Sequence, residues 1–172
     1  IGEIEYANIQ PLFDKLNRNE LTENGFQLMT DVQSQVNRRL AEGAVDVAGI
    51  SSSSYAQHAD DYSILPDLSV SSKGEVRSLY LFSKVPIEQL DEKRVALTAS
   101  SATTVHLLKI ILRSFYELRV QYETMKPDLA GMLLTHDAAL LIGDDAIRAA
   151  RPNTTLYQYD LGTIWYEHTA VP

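Results

Sequence analysis

Three times in this chain an apolar run gives way to a cluster of small polar residues, and a helical pattern follows. The runs are Ile4-Glu5-Tyr6 into Asn8-Ile9-Gln10-Pro11, residues 45–50 into Ser51-Ser52-Ser53-Ser54, and residues 95–98 into Ser100-Ser101-Ala102-Thr103-Thr104. A short apolar run bounded by turn residues reads as a buried strand. Serine, threonine and asparagine at its end are suited to receive the free N–H groups of a helix's first turn. Repetition of strand, cap and helix confines the chain to the α/β class. One such junction is an ordinary cap. Several at the carboxyl ends of strands in one sheet form a place for a small anion, because free N–H groups and positive helix ends collect there.

The remaining pattern fits this class. Residues 2–6 read as a short strand, with Pro11 in the first turn of the next helix. Residues 26–29 read as a second strand. Val32, Val36 and Leu40 recur every four residues and predict a helix over 31–42, capped by Asp31 and stopped by Gly43. A strand at 45–50 and a short helix at 51–59 follow. Residues 69–84 form the longest extended stretch, with Gly74 as a bend. Residues 95–98 predict a buried strand, and 101–116 an amphipathic helix carrying Leu107, Leu108, Ile111, Leu112 and Phe115. Beyond it come a helix at 129–134, a strand at 138–142 ending in Gly143-Asp144-Asp145, a strand at 156–159 and a helix at 162–168. The break near residues 83–86 divides the chain into lobe 1 (1–84) and lobe 2 (85–172). Two small α/β lobes joined by extended strands, with helix starts facing a cleft, describe a periplasmic-binding-protein type of architecture.

Composition narrows the ligand. With 15 basic and 23 acidic residues the net charge is −8, which disfavours nucleic acid and anionic membranes as partners, since both require a basic face. A local ring of N–H and O–H donors can still hold a carboxylate inside an acidic protein. There is no cysteine, so disulfides, thiolate zinc sites and a cysteine nucleophile are excluded. His58, His106, His136 and His168 show no ligand spacing, and no metal is expected. Neither a glycine-rich phosphate loop nor a nucleophile elbow is present.

Taken in order, Ile4-Glu5-Tyr6-Ala7-Asn8-Ile9-Gln10-Pro11-Leu12, then Gly43-Ala44-Val45-Asp46-Val47-Ala48-Gly49-Ile50-Ser51-Ser52, then Leu65-Pro66-Asp67, Gly74-Glu75-Val76-Arg77-Ser78-Leu79-Tyr80-Leu81-Phe82, Val95-Ala96-Leu97-Thr98, Gly143-Asp144-Asp145 and Tyr159-Asp160-Leu161-Gly162 make a characteristic series. The series resembles the chorismate dehydratase family of the futalosine (alternative) menaquinone pathway, over nearly the whole chain. The Cys-Pro-Asn-Asp-Thr stretch of the related enzyme that cleaves a cyclic futalosine derivative is missing. What the resemblance implies is a type II periplasmic-binding-like fold used as a cytoplasmic, cofactor-free lyase. Its substrate would be chorismate, a small dianionic carboxylate, and its product 3-[(1-carboxyvinyl)oxy]benzoate. The resemblance places Asn8 and Ser78 at the reacting centre. It assigns Ser101, Thr103 and Thr104 to a substrate carboxylate, with Ser51 and Ser52 as further binding residues. The family usually continues past its last helix with Thr-Gly-Leu-Pro and a strand returning to lobe 1. Here Thr169-Ala170-Val171-Pro172 ends the sequence, so a fragment or a lobe lacking its return strand is expected. Ala102 departs from the longer polar residue that some relatives carry.

Read on their own, the same residues have plainer roles. Asn8 can be a helix cap, the run Ser51-Ser52-Ser53-Ser54 plain capping and loop, Ser101, Thr103 and Thr104 a cap, and Ser78 a strand residue. One of Asp144 and Asp145 can cap the next helix while the other is solvated. Arg77 alternates with Ser78, so it should face away from any cleft that Ser78 faces. Besides the lyase, two other functions fit: a non-enzymatic binding protein or sensor for a small carboxylate, and a regulatory module derived from the enzyme. Fold alone does not separate them.

Overall fold

The structure is a computed structural model describing residues 1–4, 9–150 and 155–172. It divides into two compact units, Ile1–Val70 and Ser71–Pro172. The sequence pattern drew its boundary after Lys84 instead. The residues between the two boundaries include a strand at Leu79–Ser83 that is hydrogen-bonded into the sheet of the second unit.

In the first unit, β1 (Gly2–Ile4) pairs in parallel with β2 (Met29–Asp31), and a single parallel bridge joins Gly2 to Ala48. The continuous strand expected at 45–50 is thus reduced to one bridge, and Val47 is exposed. The helices are α1 (Arg18–Glu23), α2 (Gln33–Ala41) and α3 (Ser52–Gln57). Val36 of α2 is buried, as its periodic position requires, and Gly43 follows the helix at φ 71°, a left-handed conformation natural to glycine. Asp31 does not cap α2. It ends β2, accepts the Val32 N–H at 2.8 Å and pairs with Arg39 at 2.9 Å. Glu3 is buried in β1 and satisfied by two Arg18 hydrogen bonds, at 2.6 and 3.2 Å, and by the Thr30 hydroxyl at 3.0 Å.

The second unit is a three-layer α/β/α sandwich. Besides β3 (Leu79–Ser83) it contains β4 (Arg94–Thr98), β5 (Gln121–Met125), β6 (Ala138–Ile142) and β7 (Tyr157–Asp160), in the order β5-β4-β6-β3-β7. β4 is parallel to β5 and β6, whereas β3 is antiparallel to β6 and β7. Both faces of the central strands are covered, which explains their uninterrupted apolar runs. Leu81, Val95, Leu97 and Leu140 point to one face, where they pack on Leu108, Ile111, Leu161 and Ile164. Those partners belong to α4 (Ala102–Ile110), to the π-turn Ile111–Phe115 that extends it, and to α7 (Leu161–Thr169). Phe82, Ala96, Ala139 and Leu141 point to the other face, against α5 (Leu129–Thr135) and α6 (Gly143–Ala149), where Met132 and Ala146 are fully buried.

β5 is absent from the sequence reading because Gln-Tyr-Glu-Thr-Met has no apolar run, being an edge strand paired on one side only. The extended stretch expected over 69–84 is regular only at Leu79–Ser83.

Candidate active site

The strand directions gather chemistry at one edge of the second unit's sheet. The carboxyl ends of β4, β5, β6 and β7 lie on that edge, together with the start of antiparallel β3. The starts of α4, α6 and α7 follow directly from β4, β6 and β7. This is the edge at which parallel α/β sheets bind ligands.

Ser78 stands there, immediately before β3, and its carbonyl accepts the Gly143 N–H at the start of α6 at 2.8 Å. Ser101, Thr103 and Thr104 stand at the start of α4. Ser101 is the N-cap: its hydroxyl accepts the Thr104 N–H at 3.2 Å and donates to Thr104 Oγ1 at 3.0 Å. The Thr104 hydroxyl keeps its own proton for donation. The registers Val95↔Ala138 and Leu79↔Ile142 set Ser78 opposite Gly143 and the end of β4, Thr98, opposite Leu141, so Ser78 lies two residues beyond the end of β4 on the far side of β6. Two strand spacings and that two-residue offset put their backbones about 12 Å apart. The structure therefore brings Ser78 to the same edge as Ser101, Thr103 and Thr104.

Ser51 and Ser52 belong to the first unit. Ser51 caps α3, accepting the Ser54 N–H at 3.2 Å and the Asn37 side-chain N–H at 3.1 Å, while Ser52 is the exposed first residue of that helix. Asn8 lies outside the described residues.

Two expectations are modified at this edge. Neither Asp144 nor Asp145 caps α6. That helix starts at Gly143 with no side-chain cap, Asp145 pairs with Arg148 at 2.8 Å, and both aspartates occupy the first turn, where negative charge favours the helix dipole. Arg77 is exposed and pairs with Glu75 at 2.8 Å, in keeping with its exclusion from the site. Its backbone, however, is left-handed at φ 64°, which alternation along an extended strand does not anticipate.

Sequence reasoning missed Asp160. Its buried carboxylate caps α7 through the Thr163 N–H at 3.0 Å. It also accepts the Val76 N–H at 3.1 Å and the Arg77 N–H at 2.7 Å, over eighty residues away in sequence. Only the cap has a local signal, an aspartate just before a helix.

Hollows open on this unit among the described residues, and two of them matter here. One of about 810 Å³ lies between α5 and α6, lined by Leu129, Leu133, Leu141, Asp145 and Arg148 among others. The second, of about 480 Å³, is lined by Glu75, Tyr80, Tyr116, Tyr159, Asp160 and Thr163 among others. Burial pushes the Tyr80, Tyr116 and Tyr159 hydroxyls above their ordinary range, so they are protonated at neutral pH. Ser78, Ser101, Thr103 and Thr104 line neither hollow. Ser78, Ser101 and Thr103 are half-buried at this edge and Thr104 is buried; they make a ledge of hydroxyl groups, suited to holding negative charge without a cation.

A ledge of uncharged donors at the strand ends of an α/β sheet is a feature of many small-anion proteins, and comparison narrows the choice. The chain belongs to the menaquinone biosynthesis family, whose model matches residues 1–172. It is 35% identical to the chorismate dehydratase of Thermus thermophilus over all of its own length and 66% of that protein. It is 30% identical to the 1,4-dihydroxy-6-naphtoate synthase of the same organism over 84% of its own length and 51% of that protein. The chain thus spans less than two thirds of either relative. Among solved structures, the GluR0 ligand-binding core in complex with L-glutamate is similar at 13% identity and a TM-score of 0.46, covering 91% of this chain and 72% of that one.

Proposed function

We propose that this chain carries most of a cofactor-free lyase that dehydrates chorismate to 3-[(1-carboxyvinyl)oxy]benzoate in the futalosine route to menaquinone. The observation that carries the reading is the 35% identity to a chorismate dehydratase along the whole chain. The placement of Ser78 on one ledge with the capped start of α4 agrees with it.

Chorismate offers two carboxylates on a small ring. The start of α4 favours one of them by about 0.3–1 kcal/mol, and by about 2 kcal/mol where the site is partly buried. Hydrogen bonds from the Thr103 and Thr104 hydroxyls add to this, strengthened by the ligand's charge. The reaction removes a ring proton, breaks the carbon–hydroxyl bond and releases water, leaving an aromatic ring. Aromatisation supplies the driving force, so the protein's task is to orient the ring and stabilise charge as the proton leaves. An amide is not a base. In this reading Asn8 holds a substrate carboxylate or the departing hydroxyl, Ser78 hydrogen-bonds to the substrate, and the enolpyruvyl carboxylate of the substrate itself takes the proton.

The test is incubation of the complete gene product with chorismate, following aromatic absorbance and a product lighter by one water. Turnover that falls in Ser78→Ala and Asn8→Ala supports the reading. Chorismate bound but unchanged at high protein concentration refutes it and points to a binding module. Normal turnover in either variant removes that residue from the reacting centre.

A further inference from the structure

Resting on the reading of Ser78 given above, we propose that Asp160 is a positioning residue for Ser78. It acts by strapping residues 74–78 onto the first turn of α7. Ser78 is reached from a bend, not from within a strand, so something must fix the bend. Arg77 is left-handed at φ 64°, a strained conformation for a residue with a side chain, and such strain persists only where the surroundings hold it.

The surroundings here are three N–H groups converging on one buried carboxylate. Those of Val76, at 3.1 Å, and Arg77, at 2.7 Å, come from the bend, and that of Thr163, at 3.0 Å, comes from the helix. Arg77 is held directly, one residue before Ser78. On the far side of Ser78, its carbonyl is pinned by the Gly143 N–H at 2.8 Å. The serine is therefore gripped from both directions, by the start of α7 and by the start of α6.

Gly162 makes the close approach possible. A Cβ there would lie 2.5 Å from the Gly74 carbonyl oxygen and 2.4 Å from Val76 Cγ2. An aspartate needed only as a helix cap requires neither the second grip nor this glycine. The strap turns a cap into a device that sets the direction of a side chain at the neighbouring strand end.

Asp160→Ser separates the two roles, because serine can still cap α7 but cannot also reach the two N–H groups of the bend. We expect the variant to retain its far-UV spectrum and to unfold cooperatively. We expect kcat for chorismate to fall about tenfold or more, the scale of a lost orienting contact. KM should stay within a factor of about two, since loss of a contact made only in the transition state lowers kcat. In a Ser78→Ala background the same substitution should cost no more than about twofold, because residues acting as a unit are non-additive. Deuterium exchange at the Val76 and Arg77 amides should be slow in the parent and fast in Asp160→Ser.

Normal turnover in Asp160→Ser, or losses that multiply in the double variant, would overturn the positioning role. Fast exchange of both amides in the parent would overturn the strap itself. A parent protein that leaves chorismate unchanged refutes the reading of Ser78, and with it the positioning role. The exchange measurement then decides separately whether the strap exists.

Discussion

Gly162→Ala puts the contact between α7 and the bend to a direct test. The added methyl carbon would stand 2.4 Å from Val76 Cγ2, 2.5 Å from the Gly74 carbonyl oxygen and 3.2 Å from Asp160 Oδ1. Carbon contacts are comfortable at about 3.5–4.0 Å, so relief requires a movement of about 1 Å. Val76 can turn its side chain away. The Gly74 carbonyl is backbone and moves only if the bend lifts. Lifting it by that much carries the Val76 and Arg77 N–H groups, now 3.1 and 2.7 Å from Asp160, out of good hydrogen-bond range. Bonds to a charged acceptor contribute about 1.5–3 kcal/mol each. The lower figure applies, because the half-buried Val76 and exposed Arg77 amides gain water in exchange. Two bonds give about 3 kcal/mol, and the better helix propensity of alanine returns up to about 1 kcal/mol. The net loss is about 2 kcal/mol, within the usual range for overpacking of about 1–3 kcal/mol. Urea unfolding reads it cleanly. The only tryptophan is Trp165 on α7, within 5.9 Å of the Phe115 ring, so its fluorescence reports the second unit. A variant as stable as the parent, or more stable, would show that the bend does not rest on Gly162.

Other outcomes follow from the same structure. Ser101→Ala should lower the stability of the second unit by about 1 kcal/mol, through loss of the α4 cap, again read by Trp165; an unchanged midpoint would mean the cap bond contributes nothing. Leu140→Ala, at a fully buried position of the central sheet, should cost about 2–5 kcal/mol, whereas Leu134→Ala, at a side chain 84% exposed, should stay within about 0.5 kcal/mol. In the first unit, the Arg18 hydrogen bonds are the main cause holding Glu3 below its ordinary 4.5, with burial opposing and Thr30 assisting. A lowered carboxyl pKa stabilises the folded state above the unfolded-state value, and this contribution is lost as pH falls through the folded value. Stability should therefore decline as pH falls below about 4.5, and Glu3→Gln should flatten that acid limb in circular dichroism; an unaltered limb would mean the pair is not formed in solution.

The sequence by itself determined the α/β alternation and two central strands of the larger sheet. Residues 95–98 and 138–142 are continuous apolar runs, and such runs are stable only with both sheet faces covered, as they are in β4 and β6. It also placed caps in the clusters at 51–54 and 101–104, where Ser51 and Ser101 make them, since a cap is made within three residues of itself. The membership of the family, whose model matches residues 1–172, was legible in an ordered series of short segments over nearly the whole chain. Tertiary structure alone decided the rest. β5 exists because β4 offers an edge to pair with, and residues 45–50 are reduced to one bridge although their apolar pattern reads as a strand. Ser78 reaches the edge that carries the start of α4 only through the pairing of two strands on β6, and Asp160 meets Val76 and Arg77 across more than eighty residues. Local preferences act over one turn or one strand. A contact between residues so far apart in the chain is set by which surfaces pack together, and no local pattern carries that information.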